Sequence, residues 1–501
     1  MLVLSLLALF YGRADAQVAV SSLTEAQRGR VPGADSTSLA TLYEQVNVDY
    51  TAGDVQAGLR AEAFRSQTGG RGMVSLSQKY VRWTHGLASL VAGNYYAMLG
   101  RGLTLRAFEL PGVVLESPGY RRRYTPSEDL EGGMASWTGN RVMARALIGR
   151  PVKSDVPPGV ADVDRRTDWV AGGEMRFRSA GSLTLGGTAV NLRPEGREAS
   201  WAWSGLAGLD FLPILHTLGV KDASGDFYGE YARRGGGAEA GYGVYLSVNA
   251  AVRGLGLSVE YKDYDDFALG VNDPPSLVRE HSAALLNRTT HVLLPLNERG
   301  YQAELTYVLS DVGTVTANLS RGRNALGAGF ETVFDERYLA VEMDRFYPDF
   351  SGLAFFDWGR DELEGMLDRR TGGVLLEREM AGGQRLSADF QVQRGRRPFG
   401  HPDAFTDTYA SVSWQHPAGF GAALVMERSS DILETDDAGT LTQIETDPRT
   451  WWAVNLNARL GSRYEALLLV GKRRGGTACT SGTCYQVLPY NGVEARMTTR
   501  F

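Results

Sequence analysis

Long apolar runs are missing from this 501-residue sequence. Beyond the opening MLVLSLLALF, no stretch reaches the roughly 18 apolar residues that a helix needs to cross a bilayer, which excludes a helical membrane protein. The opening run is itself too short to span. It leads to Ala14-Asp15-Ala16, a small-x-small cleavage site, so residues 1–16 are expected to be a signal peptide and the mature chain to begin at Gln17. The usual basic residues ahead of the run are absent, and a buried N-terminal helix is the alternative.

Cysteine is almost absent. Cys479 and Cys484 are the only two, with TSGT between them, and an even pair in an exported chain is expected to form a disulfide. Two thiols with no histidine nearby would make an incomplete metal site. The six histidines form no HxxxH or HxH pair. Gly100-Arg101-Gly102 is a glycine pair at a strand end, and phosphate cradling needs a helix after it, whereas LTLRAFE reads as a strand. Ser282 is next to His281, but adjacent residues do not normally face each other for proton transfer. Asp431, Glu434, Asp436, Asp437, Glu445 and Asp447 crowd one loop without the ordered spacing of an EF-hand, as in a solvated loop. No enzymatic activity, metal or cofactor is therefore expected. A net charge of -6 and a pI near 5.7 favour neither nucleic acid nor an acidic ligand.

What is present is glycine, aromatic residues and a period of two. The chain holds 61 glycines, 22 tyrosines and 9 tryptophans at a mean hydropathy of -0.22, unlike a soluble enzyme of this length. Ala303, Leu305, Tyr307 and Leu309 alternate with polar residues, and after Asp311-Val312-Gly313 so do Val315, Ala317 and Leu319. The same texture recurs at Tyr242–Ala250, Leu255–Tyr261, Leu386–Val392 and Trp452–Leu460. A β-sandwich also alternates, so the arrangement of the turns decides. Reading back from the end, RRGGTACTSGTC, SSDILETDDAGTLTQIETDP and GRRPFGHPDAF are long and polar. Between them, GSR at Gly461–Arg463, HPAG at His416–Gly419 and MAGG at Met380–Gly383 are short. Long and short connections in strict alternation are the pattern of an all-β, antiparallel transmembrane barrel, with short periplasmic turns and long extracellular loops.

The ending GVEARMTTRF fits that architecture. Val493, Ala495, Met497 and Phe501 share one face of a last strand, and a barrel must seal its wall because open backbone groups are costly in hydrocarbon. The same four residues resemble the C-terminal signal by which the barrel-assembly machinery recognises its outer-membrane clients. Val46, Val48 and Tyr50 are expected to form the first strand and to receive this last one. Twenty-three candidate strands run from Leu42 to Phe501, yet termini on one side require an even number. Counting Leu103 to Leu110 as a strand gives 24 and dropping Ser351 to Asp357 gives 22, so the expectation is a single barrel of about 22–24 strands. It would occupy residues 42–501, preceded by a short periplasmic segment, 17–41, with both termini periplasmic.

A barrel of that size has a wide lumen. Residues 17–41 are too few for a globular plug, so the narrowing is expected from inward-folded segments, with surface loops as the alternative. One is 100–124, where Arg121, Arg122 and Arg123 offer a basic lining. The other is 271–297, where Pro274-Pro275 and Ser276 are expected to open a short helix through Leu286 and where Arg279, Glu280 and His281 sit.

VAGNYYAMLGRGLTLRAFE, VNDPPSLVREHSAALLNRTTHV and GGTACTSGTCYQVLPYNGVEARMTTRF resemble an uncharacterised family of outer-membrane barrels of Gram-negative bacteria, a domain of unknown function. The resemblance covers nearly all of the mature chain and implies the fold without implying an activity. Two kinds of function follow. In one, Asn455, Asn457, Arg459, Asp389, Gln391 and Gln393 line a water-filled path for hydrophilic or amphipathic solutes. In the other, a closed barrel anchors or assembles a surface or exported protein. The expected partners are outer-membrane lipid, the barrel-assembly machinery during insertion and an unknown solute.

Overall fold

In a computed structural model, residues 16–501 are described apart from 31–37, 68–71, 118–119, 121, 154–155, 161–163, 180–181, 218, 220–221, 237–239, 278, 292–295, 310–311, 327–328, 399–403, 432–448 and 481–482. Residues 1–15, the acidic loop beyond Asp431 and Arg121 thus lie outside the described residues. No described helix is long and apolar enough to cross a membrane.

Twenty-four antiparallel strands form one sheet whose two ends meet. Gln17–Arg30 pairs on one side with Ser38–Ala52 and on the other with Tyr490–Arg500, from Ser21 opposite Arg500 to Arg30 opposite Asn491. The amide of Phe501 donates to the Val20 carbonyl at 2.8 Å, extending the seam by one bond. The final strand is a wall strand as the ending implies, but its partner differs from expectation. Val46, Val48 and Tyr50 lie in the second strand, and residues 17–30 of the expected periplasmic segment are the first. That strand also settles the odd number. From Ser38 to Arg500 there are 23 wall strands, and the missing one precedes them. Leu103 to Leu110 contributes only Leu105–Ala107, paired with Ala97–Leu99 in a small hairpin outside the wall, while Phe350–Asp361 is a full wall strand.

Side chains alternate as the pleat requires. Odd-numbered Leu305, Tyr307 and Leu319 are exposed on the outer face, and eight of the nine tryptophans point outward, Trp451 being the exception. Tight turns close one end. Arg253 and Gly254, both with positive φ (46° and 82°), join Gly241–Val252 to Leu255–Asp265 in the two-residue geometry that matches strand twist.

The core sits inside the lumen. Three segments from the long-loop end fold into it: the described residues of 96–129, those of 266–291, and the hairpin Gly476–Thr480 with Thr483–Val487. Leu99, Leu103 and Leu105 have no exposed surface and pack against wall residues including Leu147, Val170, Val190 and Leu206. The helix begins later than Pro274-Pro275 suggests, spanning only Ala284–Arg288. The residue before a proline is driven to extended conformations, and the Pro275 carbonyl is taken by the Tyr264 hydroxyl at 3.1 Å.

Deleting residues 17–30 should abolish the heat-resistant folded band of the refolded protein on a semi-native gel, because both edges of the sheet would be left open. A folded band of normal mobility from the deletion would show that Ser38–Ala52 can close the wall directly.

Candidate functional site

The inner ends of the strands and the three inserted segments form one polar assembly. On strand Glu331–Tyr347 the inward residues Phe334, Glu336, Tyr338 and Ala340 are buried, while Glu342 and Asp344, further toward the short turns, are exposed. The same gradient runs down Met366–Met380, from buried Arg369 and Thr371 through half-buried Glu377 to exposed Glu379. On Gln384–Arg396 it runs from buried Gln393 and Gln391 through Asp389 to exposed Arg385. The insertions therefore fill the long-loop half of the lumen and leave a polar vestibule at the other end. Asn457 and Arg459 face that vestibule, and Asn455 lies beside it.

The insertion of residues 266–291 is held by charge. Arg369 donates from Nη2 to Glu336 at 2.5 Å, from Nε to Asp357 at 2.9 Å and from Nη1 to the Thr289 carbonyl at 2.7 Å. His281 Nε2 lies 2.9 Å from the other Glu336 oxygen. These groups meet because Gly359 stands between Glu336 and Arg369 in the register across three strands. A Cβ there would lie 2.8 Å from Arg369 Nη2, so the missing side chain is what lets the guanidinium pass. One turn of the lumen away, Lys262 Nζ is 2.5 Å from Glu298, with both side chains almost wholly buried. His291 completes that group, 2.7 Å from Asp361 and 3.6 Å from Glu298, with its ring stacked on Phe334. Arg279 pairs with Glu304 and lies over the Tyr338 ring.

The helix and the disulfide hairpin are joined to each other. Asn287 accepts from the Cys479 amide at 2.9 Å and donates to its carbonyl at 3.1 Å, and Arg288 binds the Gly475 carbonyl and Glu427. Cys479 and Cys484 are bonded, so the hairpin is closed at its tip. Arg474 anchors its base to Asp407 at 3.0 Å.

The insertion of residues 96–129 is held differently. Besides its leucines, the Gly100 and Arg101 amides donate to Glu174 and Glu230 at 3.2 and 3.0 Å, and Thr104 meets Thr188 at 2.8 Å. Arg123 is buried at the seam between Glu25 of the first strand and Glu494 of the last. Arg122 reaches the Pro158 carbonyl instead.

Of the expected constriction residues, Arg123 and Arg279 are therefore buried or half-buried in ion pairs with the wall, His281 is buried against Glu336, Glu280 is exposed, and Ser282 is exposed beside that histidine. Val493, Ala495 and Met497 face outward, and Phe501 is exposed at the short-turn rim. Gln391 accepts from the Leu285 amide at 3.0 Å, so it seats the helix as well as lining the lumen. Sequence reasoning missed Glu336, Asp357, Arg369, Lys262, Glu298 and His291. Apart from His291, which lies in an insertion, their one signal is charge at inward parity in a wall strand. Among the described residues no group of three or more His, Cys, Asp or Glu side chains has the arrangement of a metal site.

Neither a protein-family model nor a curated protein sequence matches this chain. Solved structures do. A chain of the E. coli P pilus tip assembly intermediate PapC-PapD-PapK-PapG aligns over 98% of this chain and 62% of its own length, with TM-score 0.50 and 12% identity. The translocation pore of the P pilus usher PapC aligns over 97% and 99% with TM-score 0.43 and 11% identity. The outer membrane protein OprD from Pseudomonas aeruginosa aligns over 72% and 92% with TM-score 0.40 and 12% identity. The likeness is one of fold alone.

Two predictions follow from the charged assembly. Burial pushes the His291 imidazole down, but its hydrogen bond to Asp361 and the charges of Asp361 and Glu298 outweigh that and hold it up at about 9 against an ordinary 6.5. A raised folded value means that its contribution is complete below the ordinary pKa and disappears as pH climbs through about 9. Amide exchange of residues 284–291, corrected for intrinsic rates, should accelerate over that window in the wild type and show no such step in His291→Gln. An unchanged profile in both proteins would remove His291 from the docking of this segment. Separately, Glu336→Gln strips Arg369 and His281 of a buried charge and should destabilise the fold by about 3–5 kcal/mol, read from its denaturant midpoint.

Proposed function

We propose that the protein is an outer-membrane channel for hydrophilic or amphipathic solutes, closed at rest by its own inserted segments. The observation that carries this reading is the contrast between the two walls under the insertions. Beneath Ala97–Ala107 the wall presents Leu147, Val170, Val190 and Leu206, surfaces that would be costly to wet. Beneath residues 279–291 it presents Lys262, Glu298, Glu336, Asp357 and Arg369, alongside the smaller apolar patch of Tyr338, Ala340 and Phe355. Charged groups lose hydration when covered and regain it when water enters. The first insertion is thus a fixed filling, and the second, with the hairpin it carries, is the gate.

The fold supports the location. A closed barrel satisfies every wall hydrogen bond internally, and its exposed aliphatic and aromatic outer face suits hydrocarbon. From the alternation of short and long connections we take the short turns and both termini as periplasmic and the gate as external. The exposed vestibule residues Glu342, Asp344, Glu379, Arg385, Asn457 and Arg459 then form a water-filled periplasmic mouth of mixed charge, suited to polar solutes of either sign.

Planar-bilayer conductance tests this. The wild type should conduct rarely and in small steps. Replacing residues 271–291 by a short glycine-serine linker should give steady, large, ion-selective conductance, and reduction of Cys479–Cys484 should raise the opening frequency by loosening the hairpin that grips Asn287. A folded linker variant that stays silent would overturn the gate and favour a closed barrel serving as an anchor or assembly platform.

A further inference from the structure

The outer wall carries a feature that neither the gate nor the lumen uses. On strand Gln384–Arg396 the outward series is Leu386, Ala388, Phe390 and Val392, followed by Arg394 and Arg396. On Gly313–Ala325 it is Val315, Ala317 and Leu319, followed by Arg321 and Arg323. Arginine begins where the apolar face ends, at the long-loop side, and the neighbouring strands continue the row. Arg370 and Arg337 stand in it with their side chains 60% exposed.

The row is crowded with like charge. Arg299 lies directly opposite Arg323, and Arg370 directly opposite Arg394. Like charges in such positions disfavour strand pairing unless something neutralises them. Carboxylates answer only part of it: Asp263 takes Arg299 at 2.8 Å and Asp368 lies 3.5 Å from Arg370. Asp335 stands between two guanidinium groups, 3.5 Å from Arg337 and 4.0 Å from Arg321, and Arg323 reaches Glu331 only at 3.9 Å. Across the barrel, the outward residues of the same end mix tryptophan with arginine, as where Trp169 lies opposite Arg193 and Trp203 opposite Arg233. What distinguishes the half from Arg299 to Arg396 is arginine directly facing arginine.

We propose that this half-belt binds the phosphate groups of phosphorylated lipid headgroups in the leaflet at the long-loop end. A guanidinium presents two parallel N–H donors that match two phosphate oxygens, and one phosphate between opposed arginines removes their mutual repulsion. The height is right for a headgroup, since the alkyl stems lie along the last apolar row and the charges stand above it. Arg337, which lies over the Trp358 ring, shows the arrangement within one pair, with an aromatic ring at the interface and a cation over it. The proposal rests on the reading of the barrel as membrane-embedded, but it concerns the outer wall and survives a silent pore.

The test uses the full-length protein, refolded in mild detergent, with native mass spectrometry to count bound lipid. The probes are a diphosphorylated lipid A, the same lipid with its phosphates removed, and inorganic phosphate as a competitor. The wild type should retain the diphosphorylated lipid and lose the dephosphorylated one, and inorganic phosphate should not displace the bound lipid. The triple variant R370Q/R394Q/R396Q should lower retention at least tenfold, on the scale of several-fold per surface arginine, whereas R378Q at the short-turn end should leave it unchanged. Because the comparison of the two lipids needs only the wild type, poor folding of the triple variant would not protect the idea. Equal retention of both lipids, complete displacement by inorganic phosphate, or unchanged retention by the folded triple variant would each overturn it.

Discussion

Closure of the wall is the constraint on which the rest of this molecule depends. A sheet that faces hydrocarbon cannot leave a strand edge unpaired, and here the closing ladder joins Gln17–Arg30 to Tyr490–Arg500, the first and last strands of the sheet in chain order. A wall of 24 strands must then enclose a lumen too wide for its own side chains to fill. The insertions follow from that width. They also reinforce the seam, because Arg123 of an inserted segment sits between Glu25 on the first strand and Glu494 on the last, and Arg496 holds Glu25 from the other side at 2.5 Å. The filling and the closure are thus one structure: the segment that occupies the lumen carries the cation that pairs the acids of the two closing strands.

Charge was used for much of the inner packing although apolar packing would have been stronger. A buried ion pair gains little net free energy over a hydrophobic replacement, but losing one partner is expensive. Such pairs therefore specify position more than they add stability. Arg369 illustrates this, since it joins Glu336 and Asp357 of two wall strands to the Thr289 carbonyl of the insertion, through the gap left by Gly359. The helix Ala284–Arg288 is too short to be stable alone, and it lacks a side-chain cap. It exists because Gln391 receives the Leu285 amide and the hairpin receives Asn287.

The alternation that a pleated strand imposes on lipid-facing residues was legible in the sequence, and it gave nearly every wall strand with its outward set. The first strand escaped because its outward residues between Val20 and Ala26 are Ser22 and Thr24, which break the apolar period. The two insertions could be recognised as segments that fit no strand, and Arg123, Arg279 and His281 within them do bind the wall. Their partners could not be recognised. Glu336 and Arg369 are 33 positions apart and meet only through two strand registers and a glycine, and a register is a property of the assembled sheet. The helix was placed too early for a local reason, since Pro274-Pro275 resembles a helix start and instead belongs to an extended stretch.

The difference between the two insertions sets the order in which the lumen can open. Withdrawing Ala97–Ala107 would wet Leu147, Val170 and Val190 and strand the wholly buried leucines, each of which contributes about 2 kcal/mol by leaving water. Withdrawing residues 279–291 would also strand Leu285 and Leu286 and wet Tyr338 and Phe355, but it would return hydration to Lys262, Glu298, Glu336 and Arg369, which are paired with one another and with Asp357 across neighbouring wall strands. On the proposed reading, the charged wall beneath the second segment is the better suited to line an aqueous path. If the proposed gate opens alone, the leucine-packed segment stays as a narrowing that sets the width of the path, and the uncovered wall sets its charge.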